Sequence, residues 1–379
     1  MNISVFRTHV FNRIKNLTGL KSSNIARMTT TTIKPKVLRI GEIDFAHQKW
    51  KELSEVVEVV KCESSNREEF FKDLKTKYLD ITNITRSFAS IDQTGRFDEE
   101  LVSHLPESVK AVSHCGAGYD QIDVEPFSNR KIQLSNVTTP VEAPTADVAV
   151  FLILSTLRNF QVGHDLTVQG KWPTGGKCAG AALGHEPLSQ TVGIFGMGGI
   201  GRAIRDRLQP FGFKKIIYHN RSQLSPELEG GATYVTFDQL LSESDVICIS
   251  IPLNAKTKHS INGDTISQMK DDVVIVNTAR GAIIHEAELL QSLKSGKVGA
   301  FGSDVFEFEP EVSQELLDLP NVVSLPHMGT HTYESIQNME EFVIANVFEH
   351  LYTGKVKTIV PEQYNLQFDE TPLLKKASG

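Results

Sequence analysis

The sequence predicts an α/β protein of two domains, each a parallel sheet covered by helices, the larger one doubly wound. Three observations predict it. Apolar strand-like runs alternate with amphipathic runs from Val37 to Leu351, which is the pattern of βαβ units rather than of hairpins. Midway, the apolar run Thr191-Val-Gly-Ile-Phe leads straight into Gly196-Met-Gly198-Gly199-Ile200-Gly201. No such glycine pattern occurs earlier, so the strands before it need a sheet of their own.

Composition agrees. A length of 379 residues suggests two domains and ample core. Hydrophobic content of 40% and charged content of 22% are ordinary for a globular chain. A net charge of −7 gives no basic field to attract nucleic acid or an anionic membrane. Cys62, Cys115, Cys178 and Cys248 lie far apart with no CxxC pair, which predicts reduced thiols and no structural zinc. Cys248, in the run Val246-Ile-Cys-Ile, is expected to be buried. No run is read as approaching the roughly 20 apolar residues of a membrane span.

Residues 1–35 stand apart as a leader. Acidic residues are absent before Glu42, whereas Arg7, Arg13, Lys15, Lys21 and Arg27 are spread through the stretch. Phe6, Val10, Ile14 and Leu17 share one helical face. This basic, amphipathic pattern predicts a mitochondrial transit peptide. Met28 offers a second start and with it a cytoplasmic form.

The elements follow in order. A strand at 37–40, a helix at 46–57 and an extended stretch at 57–61 open the first domain. A helix at 67–74, a strand at 80–85, a helix at 97–105 and strands at 109–113 and 132–136 complete it. A long apolar helix at 144–158 crosses between the domains. The glycine-rich stretch 161–190 reads as a winding surface connection, with Trp172 as a packing anchor. Beyond it, Ile200, Ile204, Leu208 and Phe211 form one helical stripe that Pro210 and Gly212 end. Strands follow at 246–251, 273–277, 299–303 and 322–325, separated by helices such as 286–293. A final helix at 333–351 is expected to fold back on the first domain. The boundaries are therefore drawn at 36–141 with 334–365, and at 142–333.

A Gly-x-Gly-x-x-Gly between strand and helix is the fingerprint of a dinucleotide site in a Rossmann domain. Gly196 would turn the chain out of the strand. Gly198 would clear the path of a pyrophosphate, and Gly201 would let the helix lie close on the sheet. The N–H groups at the helix start, around Gly199 and Ile200, would face the phosphates. The next strand, from Lys215, ends in Asn220-Arg221. An NAD site places an acidic residue there, whereas a guanidinium can grip a 2′-phosphate through paired charge-assisted bonds. The pattern therefore favours NADP(H), with NAD(H) as the alternative.

Chemistry resides in three later motifs, each at the carboxyl end of a strand, where open α/β sheets bind ligands. They are Asn277-Thr278-Ala279-Arg280-Gly281, Asp304-Val-Phe-Glu-Phe-Glu309-Pro310 and Pro326-His327. Arg280 can hold the carboxylate of a 2-oxo acid and polarise its ketone. His327 can supply the proton that follows hydride transfer. Glu309 beside the imidazole would favour its charged form and fix its orientation. In the first domain, Arg86 and Ser87 follow a strand; they could border the substrate, and a surface position for Arg86 is the alternative.

With these motifs the chain resembles the D-isomer-specific 2-hydroxyacid dehydrogenase family, and within it the fungal glyoxylate/hydroxypyruvate reductases. Ser250-Ile-Pro-Leu253 belongs to the same likeness, which runs from about Lys36 to Pro361. The resemblance implies a flavodoxin-like α/β substrate domain beside the Rossmann domain, and a catalytic triad of Arg280, Glu309 and His327. It implies that backbone amides of the loop His114–Asp120, at Ala117 and Gly118, bind the substrate carboxylate. It further implies that Asp304 bonds the nicotinamide amide, and that Thr145, Ile251, Pro252 and Thr278 lie along the cofactor. A small 2-oxo acid substrate, a D-configured product and a homodimer are implied as well. Asn220-Arg221 departs from the family's acidic position. About 50 residues follow His327, too few for the regulatory domain of long phosphoglycerate dehydrogenases. Two alternatives remain: a bulkier 2-oxo acid, or a nicotinamide-sensing protein like the related corepressors.

Overall fold

Two parallel sheets organise residues 34–375, which the computed structural model describes. The first has five strands: β1 (Lys36–Ile40), β2 (Glu58–Lys61), β3 (Ile81–Ser87), β4 (Ala111–Cys115) and β5 (Gln133–Ser135). Their order, β2-β1-β3-β4-β5, is flavodoxin-like. The second has seven: β6 (Thr191–Phe195), β7 (Lys215–His219), β8 (Thr233–Tyr234), β9 (Val246–Ile249), β10 (Val273–Asn277), β11 (Val298–Ser303) and β12 (Val322–Ser324). Their order, β12-β11-β10-β9-β6-β7-β8, is the Rossmann order with one strand added. It reverses between β6 and β9, which is the switch point where such sheets bind nucleotides. β6, β9 and β10 are buried along their whole length. Helices cover both faces, so these strands read as continuous apolar runs instead of alternating. Residues 1–33 of the leader lie outside the described residues.

Helix ends are satisfied locally and at long range. The helix Arg67–Leu74 begins at Asn66, whose Oδ1 accepts the Glu69 N–H at 3.0 Å. The helix His47–Val56 has no side-chain cap of its own. Glu340, far along the chain, accepts the N–H groups of Asp44 at 2.7 Å and Ala46 at 2.6 Å, doing what a local cap would do. Glu340 belongs to the helix Tyr333–Thr353, whose Ile344, Val347 and Leu351 pack on Val37, Trp50 and Leu53. The last long helix thus closes over the first sheet.

The helix Glu142–Leu157 joins the two halves, with Ala146, Ala149, Leu152 and Ile153 packed against Ile194, Ile204 and Val276. It corrects the sequence reading on one point. Thr139–Leu157, with a mean hydropathy of 1.4, is long and apolar enough to cross a membrane by length and composition. Half of it is instead buried as a core helix within this protein.

Four further expectations change. The connection at 161–190 is not wholly irregular: it holds a helix, Phe160–Val168, and a helical turn, Trp172–Gly175. Neither buries a side chain, so no apolar stripe marked them. Trp172 is 61% exposed and is not a packing anchor among the described residues. Phe211 leaves its stripe because the α-helix ends at Leu208 and a 3₁₀ turn follows, which leaves its ring 45% exposed. Arg86 does not reach the surface; it is 1% exposed inside β3. The short β8 and the helix Phe237–Glu243 were not foreseen. The helix had a legible signal, since Thr236 and Gln239 form a capping box.

Candidate active site

β10, β11 and β12 are neighbours, and each ends at one of the three chemical motifs. Adjacent parallel strands deliver their following loops to one rim, so Arg280, Glu309 and His327 meet there. Asn277 shapes the first loop: its Oδ1 accepts the Ala279 N–H at 3.0 Å and its Nδ2 donates to the Arg280 carbonyl at 2.9 Å. Across the gap lies the loop after β4. Asn136 Nδ2 donates to the Ala117 carbonyl at 2.7 Å and His114 Nε2 donates to the Gly118 carbonyl at 3.0 Å, which pins that loop. The cleft between encloses about 1210 Å³.

His327 and Glu309 form a directed pair. His327 Nδ1 lies 2.8 Å from Glu309 Oε2, which turns Nε2 towards the cleft. The backbone at His327 has φ +55°, a left-handed conformation that costs energy for a non-glycine residue. Asp304 holds it. The His327 N–H donates to the Asp304 carbonyl at 2.8 Å. The Asp304 carboxylate accepts the N–H groups of Met328 at 2.6 Å and Gly329 at 2.7 Å. Burial raises the Asp304 carboxyl above its usual range despite these bonds. For Glu309, burial acts upward, but the bond from His327 and the Phe306 N–H outweigh it and the carboxyl stays below its usual range. An ionised Glu309 is the form that orients and favours an imidazolium.

Arg280 is engaged from the other domain. Its Nε donates to Asp120 Oδ1 at 2.8 Å, and its guanidinium abuts Gly118, where a Cβ would collide with it. Phe88, after β3, lies beside both catalytic groups: its ring centroid is 5.7 Å from Arg280 Cζ and 5.9 Å from the His327 ring. Neither Asp120 nor Phe88 had been given a role. Asp120 stands inside the substrate-loop motif and could have been suspected. Phe88 carried no signal beyond adjoining Ser87.

Ala117, Gly118, Thr145, Ile200, Ile251, Pro252, Thr278, Arg280, Asp304 and His327 all line the cleft. Glu309 stands behind His327. Gly196, Gly198, Gly199 and Gly201, at the start of the helix Gly199–Leu208, and Asn220 and Arg221, just after β7, lie beyond the lining. Arg86 does not reach the cleft. It donates to Ser90 Oγ at 3.2 Å and Gln121 Oε1 at 2.6 Å beneath the substrate loop.

The sequence model of the family described as D-isomer specific 2-hydroxyacid dehydrogenase, NAD binding domain, matches residues 150–329. Glyoxylate reductase 1 of Saccharomyces cerevisiae is 50% identical over 336 residues, covering 88% of this chain and 96% of its own. The chain belongs to the D-isomer specific 2-hydroxyacid dehydrogenase family. Another relative, 4-methyl-2-oxopentanoate reductase A of Aspergillus oryzae, is 46% identical over 333 residues, 88% of this chain and 99% of that one. Among solved structures, the NADPH-dependent glyoxylate/hydroxypyruvate reductase of Sinorhizobium meliloti, in complex with NADP and malonate, matches with a TM-score of 0.76. It is 30% identical and covers 89% of this chain and 99% of its own.

As in other members of the D-2-hydroxyacid dehydrogenase family, the fingerprint is shaped for a dinucleotide. Gly196 has φ +103°, and a Cβ there would come within 2.5 Å of the Ser250 carbonyl oxygen. A Cβ on Gly201 would strike the Gly196 carbonyl, so the helix can lie this close only with glycine. A Cβ on Gly198 would meet nothing within 4 Å; this open side is where a pyrophosphate can approach the backbone. Gly199 sits against the Glu142 carboxylate, which leaves no room for a side chain. Asn220 Oδ1 accepts the Met197 N–H at 2.7 Å and braces the glycine turn. Arg221 is exposed; among the described residues its guanidinium makes no hydrogen bond or ion pair.

Proposed function

We propose that this protein reduces a short 2-oxo acid, glyoxylate or hydroxypyruvate, to the 2-hydroxy acid, D-configured where the product is chiral, with NADP(H) preferred over NAD(H). The observation that carries the reading is the His327–Glu309 pair facing Arg280 and the Ala117–Gly118 loop across one cleft. When bound, the reduced cofactor supplies the hydride to the carbonyl carbon. The loop amides and Arg280 hold the carboxylate and fix that carbon in place. Arg280 stabilises the charge that develops on the ketone oxygen. His327 Nε2 gives that oxygen its proton, and Glu309 stabilises the charged imidazole beforehand. In the reverse direction the neutral imidazole takes the proton back. Because Asp120 holds Nε and the Ala279 carbonyl accepts from Nη1 at 2.9 Å, Arg280 presents Nη2 to substrate without swinging away.

Three observations support the cofactor preference. Arg221 is exposed and uncommitted among the described residues, no carboxylate stands at positions 220–226 directly after β7, and the Sinorhizobium relative is named as NADPH-dependent and bound to NADP. The exposed Phe160, Trp172, Leu183 and Leu188 support a homodimer, which sedimentation would reveal as a doubled mass. The basic leader supports mitochondrial delivery alongside a cytoplasmic form starting at Met28. An import assay that leaves residues 1–35 uncleaved and outside the organelle would overturn the former. A purely sensing role is disfavoured by relatives named as reductases.

The deciding experiment is a panel of glyoxylate, hydroxypyruvate, pyruvate and branched 2-oxo acids, each with NADPH and NADH. Arg280→Ala and His327→Ala should each cut kcat/KM for glyoxylate by about 100-fold or more. Unchanged values overturn the site. Arg221→Ala should raise KM for NADPH on the order of tenfold and leave NADH alone; equal effects overturn the phosphate contact.

A further inference from the structure

A half-buried carboxylate without a partner stands at the start of the fingerprint helix. Glu142 opens the interdomain helix Glu142–Leu157, and its carboxyl group lies against Gly199, the first residue of the helix Gly199–Leu208. Ala146 and Ala149 of the one helix and Ile204 of the other share a buried cluster, so packing sets the spacing between them. Gly198, the residue before the fingerprint helix, offers no side-chain cap, and the first N–H groups of a helix have no partner within it. A carboxylate this close would ordinarily cap them. Among the described residues Glu142 instead accepts no hydrogen bond and forms no ion pair. Burial raises its carboxyl above the usual range, and the charge of Arg202 only partly offsets that. The carboxylate is thus held at a cost, beside N–H groups that it leaves free.

We propose that Glu142 limits the affinity for the dinucleotide, by placing a negative charge next to the N–H groups that receive its pyrophosphate. This rests on the reductase reading given above and names the residue that tunes cofactor binding in it. A pyrophosphate brings negative charge to the open side of Gly198, next to Gly199. In a partly buried site like charges repel by more than they do in bulk water. The repulsion offsets part of the attraction that the helix end exerts. Arg202, whose guanidinium has no hydrogen bond or ion pair among the described residues, is the counter-charge to which Glu142 can turn when the phosphates arrive. The pyrophosphate is common to NADPH, NADH and their oxidised forms, so Glu142 weakens all of them alike. Arg221 differs, because it acts on the 2′-phosphate alone. Choice of cofactor and strength of binding are thereby assigned to separate residues. Holding the oxidised form less tightly favours its release after hydride transfer.

The test titrates wild type, Glu142→Gln and Glu142→Ala, as full-length protein, with NADPH and with NADH, following nicotinamide fluorescence. Loss of the charge should lower Kd for both cofactors by about tenfold, and by the same factor for each. Gained affinity is the informative sign, because a residue that only supported the fold would weaken binding when replaced. Adenosine 2′-monophosphate has no pyrophosphate, and its Kd, measured by competition with NADPH, should stay within twofold of wild type. Unchanged or weaker binding of both cofactors by Glu142→Gln overturns the proposal, even if Glu142→Ala proves unstable. A gain confined to NADPH overturns it too, since Glu142 would then act on the 2′-phosphate. An equal gain for adenosine 2′-monophosphate does the same, since the effect would not pass through the pyrophosphate. Failure of the parent reading looks different: wild type would reduce no 2-oxo acid with either cofactor, whatever its affinity for them.

Discussion

At the scale of single residues, the site works by placing charge beside groups that must hold or release a proton. Glu309 is partly buried, yet its carboxyl lies below the usual range because His327 and the Phe306 N–H donate to it. An ionised neighbour favours the protonated imidazole that reduction requires. Glu309→Gln can still accept the ring N–H but lacks the charge, and it should lower kcat/KM for glyoxylate by about tenfold or more at neutral pH. A value within twofold of wild type would mean that Glu309 only positions the ring. The residue types at 280, 309 and 327 were legible because each closes a strand in a recognisable motif. Asp120 and Phe88 were not, because what gives them meaning is a partner about 160 or more residues away, Arg280 and His327 respectively.

At the scale of elements, three adjacent strand ends must arrive in register for the site to exist. Gly281 is where two of them touch: a Cβ there would collide with the Phe306 carbonyl and the Glu307 nitrogen. Gly281→Ala should push the Arg280 loop away from the Glu309 loop. The expected result is a loss of about 100-fold in kcat/KM, since misplacement by roughly 1 Å suffices for that. Overpacking should also lower stability by about 1–3 kcal/mol, read by denaturant unfolding. Activity within twofold of wild type would show that the two loops are not coupled. Element positions were legible where burial imposed a pattern. The helix Arg67–Leu74 and the strand Val273–Asn277 fall where the apolar spacing predicts them. The helix Phe160–Val168 was missed because a helix that buries nothing has no stripe to read.

At the scale of the whole molecule, the domain built on the first sheet hides two histidines. Burial, with Arg86 adding to it, lowers His114 to about 3. Burial lowers His350 to about 4, and Asn83 Nδ2, 3.0 Å away, donates to its Nδ1. Unfolded, each would titrate near 6.5. Between those values the unfolded chain binds more protons, so stability is complete above about pH 6.5 and declines as pH falls. Tm should drop by about 5 °C between pH 7.5 and pH 5, and His350→Gln should flatten part of that slope. A Tm constant over this window would mean that neither histidine stays neutral in the fold.

The order of elements, the dinucleotide fingerprint, the fold class and the three catalytic residue types follow from the sequence alone. Local physics writes them in: apolar spacing, glycines at turns and polar residues at strand ends. That Glu340 of the last helix binds the start of the helix His47–Val56, that Arg280 is gripped from across the cleft, and which side chain stands beside His327 were settled only by tertiary structure. Those are contacts between segments far apart in the chain, and no local pattern encodes the distance at which two such segments come to rest.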